Sequence, residues 1–121
     1  MSLASYGAAT ITLYNRSTDK AEILRKALQK QYSDIVVNSG SAKPEHHDIA
    51  INATSVGMGN DGNTPFSLEK LHSTTLVCDI IIYPEKTPLL QQAESKGHPT
   101  HYGRAMLQQQ ITLMREYMLN Q

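Results

Sequence analysis

Short apolar runs alternate with longer amphipathic stretches along this chain, and the alternation predicts its elements. ATITLYN (9–15) is apolar and β-branched and closes in a polar turn, the pattern of a strand. In STDKAEILRKALQKQY (17–32), Ser17, Thr18 or Asp19 can cap a helix whose apolar face carries Ala21, Leu24, Ala27 and Leu28. DIVVNS (34–39) predicts a second strand, followed by the polar connector GSAKPEHH (40–47). DIAINAT (48–54) predicts a third strand and LVCDIII (76–82) a fourth, the latter so continuously apolar that both its faces should be covered. Between them PFSLEKLHS (65–73) can hold a helix or a helical turn. TPLLQQAESKG (87–97) predicts a helix stopped by Gly97, and PTHY (99–102) a brief strand. The last element, GRAMLQQQITLMREYML (103–119), puts Met106, Leu107, Gln110, Leu113, Met114 and Tyr117 on one stripe of a long helix.

Strands separated by helices predict an α/β fold with a parallel sheet, right-handed crossovers and helices on both faces. The carboxyl ends of the strands carry YNRS, NATSVGM and IIYPEKT, so polar residues and glycines gather on one rim. That rim is where open α/β sheets bind ligands. DIAINATSVGMG (48–59) makes the point most sharply: a buried strand breaks into Asn52, Thr54, Ser55, Gly57 and Gly59. A simple reversal needs two residues; this segment exposes backbone over several.

Composition narrows the choice of partners. A chain of 121 residues is one modest domain, short for a complete two-substrate enzyme. Its 11 lysines and arginines balance 11 aspartates and glutamates, which argues against nucleic acid held by bulk electrostatics. No apolar run approaches the ~20 residues of a spanning helix, so no membrane partner is expected and a cytoplasmic location is. Cys78 sits within an apolar run and reads as a small buried residue in a reducing compartment.

Four motifs, NRSTDKAE, INATSVGM, DIIIYPEKTPLL and GRAMLQQQ, follow one another in this order. In that arrangement the chain resembles the carboxyl-terminal nucleotide-binding domain of the shikimate dehydrogenase family, from about Tyr6 onward. The resemblance implies a Rossmann-like, doubly wound parallel sheet with NADP as cofactor. It also implies, for a full-length parent, hydride transfer between NADP(H) and a small-molecule substrate, a shikimate-type cyclic hydroxy acid of aromatic amino acid biosynthesis. Residues 1–121 are then expected to form a single nucleotide-binding domain truncated at its amino-terminal end. SLASYGAA reads as the tail of a helix, so the first strand and glycine-rich loop before it, and the substrate domain with its catalytic lysine and aspartate, are expected to be missing. No catalytic residue is assigned, and the isolated chain is expected to be inactive.

The resemblance also carries site residues. Asn15, Arg16 and Ser17 stand where a carboxylate would accept from both ribose hydroxyls and select NAD. Arg16 offers a guanidinium that can stack on adenine and grip a 2′-phosphate, and Lys20 adds a second positive charge, which favours NADP. The plainer alternative is a solvated helix entrance. By the resemblance, Asn52, Thr54, Val56 and Gly57 lie close to the dinucleotide, Gly103 lies near the nicotinamide carboxamide, and Gln110 reaches a substrate hydroxyl. An amide both donates and accepts, as a polyol ring requires. The family places a tyrosine three residues after the aspartate, to hold the substrate carboxylate. Counting from Asp79, that substrate-binding position is Ile82, with Tyr83 one residue late and directed to the opposite face of a strand. The alternative is that Ile82 is a core residue.

Other classes compete with this reading. A non-catalytic binding or interaction module could derive from the same fold. A response-regulator domain would need an acidic cluster after its first strand, and YNRS is the reverse. His46, His47, His72, His98 and His101 offer no third ligand beside the His98/His101 pair, so no metal is expected. A complete fold would seat its first strand between ATITLYN and DIAINAT. Without that strand both present unpaired backbone at ~1–3 kcal/mol for each buried group, so a homo-oligomer joined through one of those edges is expected.

Overall fold

The computed structural model describes residues 2–121, in two units, Met1–Lys43 and Pro44–Gln121. The first contains α1 (Ser2–Ser5), β1 (Thr10–Leu13), α2 (Thr18–Gln31) and β2 (Val36–Ser39). β1 and β2 run parallel, with Thr10 opposite Val36 and Leu13 opposite Ser39. Their crossover is α2, which starts at Ser17 and whose last turn is closed by the Tyr32 N–H on the Leu28 carbonyl. Ala4, Leu28, Ile35 and Val37 are buried together, with Ile11, Leu13 and Tyr32 packed around them. The Gln29 amide pins helix to strand, donating to the Ile35 carbonyl at 2.8 Å and accepting from the Val37 N–H at 3.2 Å. Of the apolar helix face, Ala21 and Leu28 are buried, whereas Leu24 and Ala27 are exposed. Two strands spaced ~4.8 Å apart are narrower than the apolar stripe of a helix, so half of it has nothing to lie on.

The second unit contains β3 (Ile49–Asn52), β4 (Leu76–Asp79), α3 (Pro88–Ser95), β5 (Thr100–His101) and α4 (Gly103–Leu119). Its sheet has the order β3-β4-β5 and is parallel throughout, with Asn52 opposite Asp79 and Val77 opposite Thr100. The β1-β2 pair is a separate ladder. Ala50, Leu68, Leu71, Val77, Leu89 and Ala93 form the core, against which Phe66 packs. Thr87 caps α3 through a bond from the Leu90 N–H at 3.3 Å, and Gly97, at φ +83°, ends it. The 65–73 segment takes the helical-turn alternative, with the Leu71 N–H on the Leu68 carbonyl.

One expectation fails in this unit. The run 76–82 is covered only in part: β4 ends at Asp79, and Ile80 and Ile82 are 42% and 45% exposed. Along α4, whose stripe keeps the expected helical spacing, only Gly103 is buried and every residue from Leu107 to Leu119 is exposed. No helix among the described residues is long and apolar enough to cross a membrane.

Candidate functional site

In the first unit the carboxyl ends of β1 and β2 open into a shallow crevice beside the start of α2, lined by Leu13, Tyr14, Asn15, Thr18, Glu22, Ser39 and Gly40 among others. The strands can close here because Gly40 has no side chain: a Cβ would run into the Thr12 methyl, and its N–H bonds the Leu13 carbonyl. Asn15 turns the chain into the helix, its Oδ1 accepting from the Ser17 N–H at 3.3 Å. Ser17 is the N-cap residue, yet its hydroxyl makes no capping bond, which leaves it available to a ligand at the helix start. Arg16, Ser17 and Lys20 are all exposed around this entrance. Negative charge is also present: Asp19 lies in the first turn, and Glu22 lines the crevice. Glu22 is engaged, however, by the Arg25 guanidinium at 2.7 and 2.9 Å and by the Ser39 hydroxyl at 3.3 Å. The Arg25 hydrogen bonds hold its carboxyl down at about 2, so it is an ion-paired wall rather than a free acceptor.

In the second unit one buried carboxyl group organises the rim. Asp79, fully buried at the end of β4, accepts from the Asn52 amide at 3.2 Å, the Ile81 N–H at 3.0 Å and the Thr87 hydroxyl at 2.8 Å. That single side chain joins the end of β3, the loop after β4 and the cap of α3. Asn52 completes the turn after β3: its Nδ2 donates to the Val56 carbonyl at 3.0 Å, and its Oδ1 accepts from the Thr54 N–H and hydroxyl at 3.0 and 2.7 Å. Gly57 follows at φ +98°, a conformation that favours glycine, with its N–H on the Asp61 carboxylate. Gly103 starts α4 against bare backbone, where a Cβ would lie 2.6 Å from the Ile80 carbonyl carbon and oxygen. The rim therefore consists of main chain and small side chains, on which a flat ring can rest.

Glu94 steadies the neighbouring loop. It accepts from the Tyr102 and Thr100 hydroxyls and pairs with Lys86, while Glu85 meets Arg104 at 3.6 Å. The Lys86 and Tyr102 bonds lower the Glu94 carboxyl below its usual range, and the bond to Glu94 raises the Tyr102 phenol.

The predicted residues thus fall into two groups. Asn15, Arg16, Ser17 and Lys20 surround the helix entrance of the first unit. Asn52, Thr54, Val56 and Gly57 form one folded turn in the second, and Gly103 abuts the backbone that follows β4. Ile82 is half exposed, so it is not a core residue; Tyr83 is exposed too, because the strand has already ended and strand alternation no longer applies. Gln110 is exposed, seven residues after Gly103 on α4, hence on the same side of that helix and about 10 Å further along it. Sequence reasoning missed Ser39, Gly40 and Glu22 in the crevice, and Thr87 in the rim. The signal was present for Ser39 and Gly40, where a strand ends in serine and glycine just as β3 ends in small polar residues. Among the described residues no group of three or more histidine, cysteine, aspartate or glutamate side chains could hold a metal ion.

No family model matches the chain. Over 96 residues it is 38% identical to the shikimate dehydrogenase (NADP(+)) of Exiguobacterium sp. (strain AT1b), a match covering 79% of this chain and 35% of that protein. The corresponding protein of Bacillus subtilis (strain 168) is 36% identical over 102 residues, 82% of this chain and 36% of its own length. Among solved structures, ligand-free 5-ketofructose reductase of Gluconobacter sp. strain CHM43 superposes with a TM-score of 0.78 at 33% identity, over 88% of this chain and 40% of that one. Shikimate 5-dehydrogenase from Listeria monocytogenes, solved with shikimate and NAD, gives 0.76 at 28% identity, over 88% and 41%. The chain thus spans little more than a third of the curated relatives it matches.

Proposed function

The chain belongs to the shikimate dehydrogenase family, as its nucleotide-binding part, and on that premise we propose that it binds NADP(H), each unit by itself offering residues suited to one end of the nucleotide. The adenosine end lies at the entrance of α2, with Arg16 stacked on adenine and, together with Lys20 and Ser17, holding the 2′-phosphate. The nicotinamide end lies on the rim of Asn52, Thr54, Val56, Gly57 and Gly103. The observation that carries the reading is the Asp79 hub, which fixes a rim of main chain and small side chains at the carboxyl ends of parallel strands. In a full-length parent this domain supports hydride transfer to or from a shikimate-type cyclic hydroxy acid, with Gln110 on a substrate hydroxyl. By the family resemblance the groups that move the proton belong to a separate substrate domain, and the chain alone is expected to show no turnover.

Substrate choice turns on Ile82. An aliphatic side chain cannot hold a carboxylate as a tyrosine hydroxyl does. One structural relative is named a 5-ketofructose reductase, which favours a second reading in which the parent's substrate is a keto sugar.

The test is nucleotide titration of the 121-residue chain by calorimetry, with NADP and with NAD. NADP is expected to bind more tightly. Arg16→Ala should weaken NADP by about 10-fold or more, the range for a charge-assisted contact, and leave NAD nearly unchanged. Equal losses for the two cofactors, or no preference in the parent chain, would sink the assignment.

A further inference from the structure

One peptide group on the rim of the second unit is held from both sides. The Val56 carbonyl accepts from the Asn52 amide at 3.0 Å, and the Gly57 N–H, across the same planar bond, donates to the Asp61 carboxylate at 3.2 Å. Gly57 is the residue that needs such a clamp. Without a Cβ it tolerates either sign of φ, and it sits at φ +98°, so an unheld Val56–Gly57 plane would be free to turn over and exchange its N–H for its carbonyl. Asp61 is itself fixed by the loop it closes. Its other oxygen accepts from the Asn63 N–H at 3.0 Å and from the Asn63 side-chain amide at 2.6 Å, and its own N–H donates to the Met58 carbonyl at 3.2 Å. The bonds from Asn63 and Gly57 hold the Asp61 carboxyl below its usual range, so it is ionised at neutral pH and a stronger acceptor for Gly57. Between the two, the Gly59 N–H donates to the Tyr83 carbonyl at 3.0 Å, which ties the loop to the segment after β4.

We propose that Asp61 is a positioning residue for the nicotinamide end of the nucleotide, holding the Val56–Gly57 peptide in the one orientation in which the rim receives the ring. This role rests on the NADP(H) reading above; Asp61 acts through Gly57 and touches no part of the cofactor. Two substitutions separate the clamp from the shape of the loop. In Asp61→Asn the new amide keeps its oxygen on the two Asn63 donors and turns its NH2 toward the Gly57 N–H, donor against donor. The loop then stays closed while Gly57 is released. Asn63→Ala does the reverse, removing one bond within the loop and leaving the Gly57 bond in place.

The test uses the 121-residue chain with two probes: NADPH, followed by the fluorescence of its dihydronicotinamide, and adenosine 2′,5′-bisphosphate, which lacks that ring. Asp61→Asn is expected to weaken NADPH about 5- to 10-fold and to abolish the emission change on binding, with the bisphosphate bound as in the parent. Asn63→Ala should match the parent with both probes. In the free chain, the Gly57 amide proton should move upfield in Asp61→Asn while the Asn63 amide proton stays where it is. An unmoved Gly57 resonance, or NADPH bound by Asp61→Asn as tightly and as brightly as by the parent, overturns the role of Asp61. So does an equal loss for both probes, which would mean that the substitution loosens the whole unit. A parent that binds neither probe overturns the NADP(H) reading, and this role with it, even where the Gly57 resonance moves as expected.

Discussion

Removing the Asp79 carboxyl group should unfasten the rim, and the size of the effect can be worked from its bonds. Asp79→Ala strips the acceptor from the Asn52 amide, the Ile81 N–H and the Thr87 hydroxyl, all in fully or nearly fully buried surroundings. Each donor left without a partner costs about 1–3 kcal/mol, partly recovered where water enters the space. A total of about 3–5 kcal/mol is expected, a large share of the ~5–15 kcal/mol that holds a domain of this size. At roughly 3–5 °C per kcal/mol, the melting temperature should fall by about 10–20 °C. Asp79→Asn keeps one oxygen for Asn52 and Ile81 and mainly strands the Thr87 hydroxyl, so its loss should be about a third as large. Thermal melts give the total; amide exchange at Ile81 and Leu90, which report the two arms of the hub, shows where it falls. A fall of less than about 2 °C for Asp79→Ala, or unchanged exchange at both amides, would refute the hub as the organiser of the rim.

Three further perturbations follow from the same geometry. Gly103→Ala should destabilise despite the better helix propensity of alanine, worth up to ~1 kcal/mol, because the new methyl meets Ile80 backbone at 2.6 Å that cannot swing aside; a raised melting temperature would show that α4 can slide. The Glu22 carboxyl, held at about 2 against an ordinary 4.5, favours the folded first unit fully above pH 4.5 and loses that advantage as pH falls toward 2. Arg25→Ala should return its titration, followed by carbon NMR, to near 4.5, and an unmoved midpoint would mean that Arg25 is not the cause. In a full-length parent, Gln110→Ala should lower turnover with little change in NADP affinity while Gln108→Ala does little; matching effects would mean that the helix phase assigned to Gln110 is wrong.

What was legible in the sequence was whatever depends on short-range chemistry. The strand around Ile51 and the stop at Gly97 each follow from the preference of one residue type for one backbone state, and the structure has both. The turn after β3 was legible as small and polar. Its mechanism was not, because the Asn52 amide is fixed by Asp79, 27 positions away in the chain and opposite it in the ladder. Glu22 escaped notice for a similar reason. Nothing local distinguishes a crevice wall from a solvated helix position until β2 brings Ser39 beside it.

The reading of Ile82 and Tyr83 shows how an argument from periodicity runs out. Six apolar residues among the seven from Leu76 to Ile82 suggest one long strand, and on a strand Tyr83 must face away from the side that Ile82 faces. Asp79 breaks that inference. A carboxyl group at the end of the ladder takes the Ile81 N–H for itself and so withdraws it from strand pairing. Beyond it the backbone is irregular, and both Ile82 and Tyr83 reach solvent. The acidic residue inside an apolar run was therefore the signal: a carboxyl group that must be buried needs several donors, and backbone released from the ladder is the nearest source of one. α4 misleads in the opposite way. Its apolar stripe is a true helix periodicity, but periodicity records only that a face is covered, not by what.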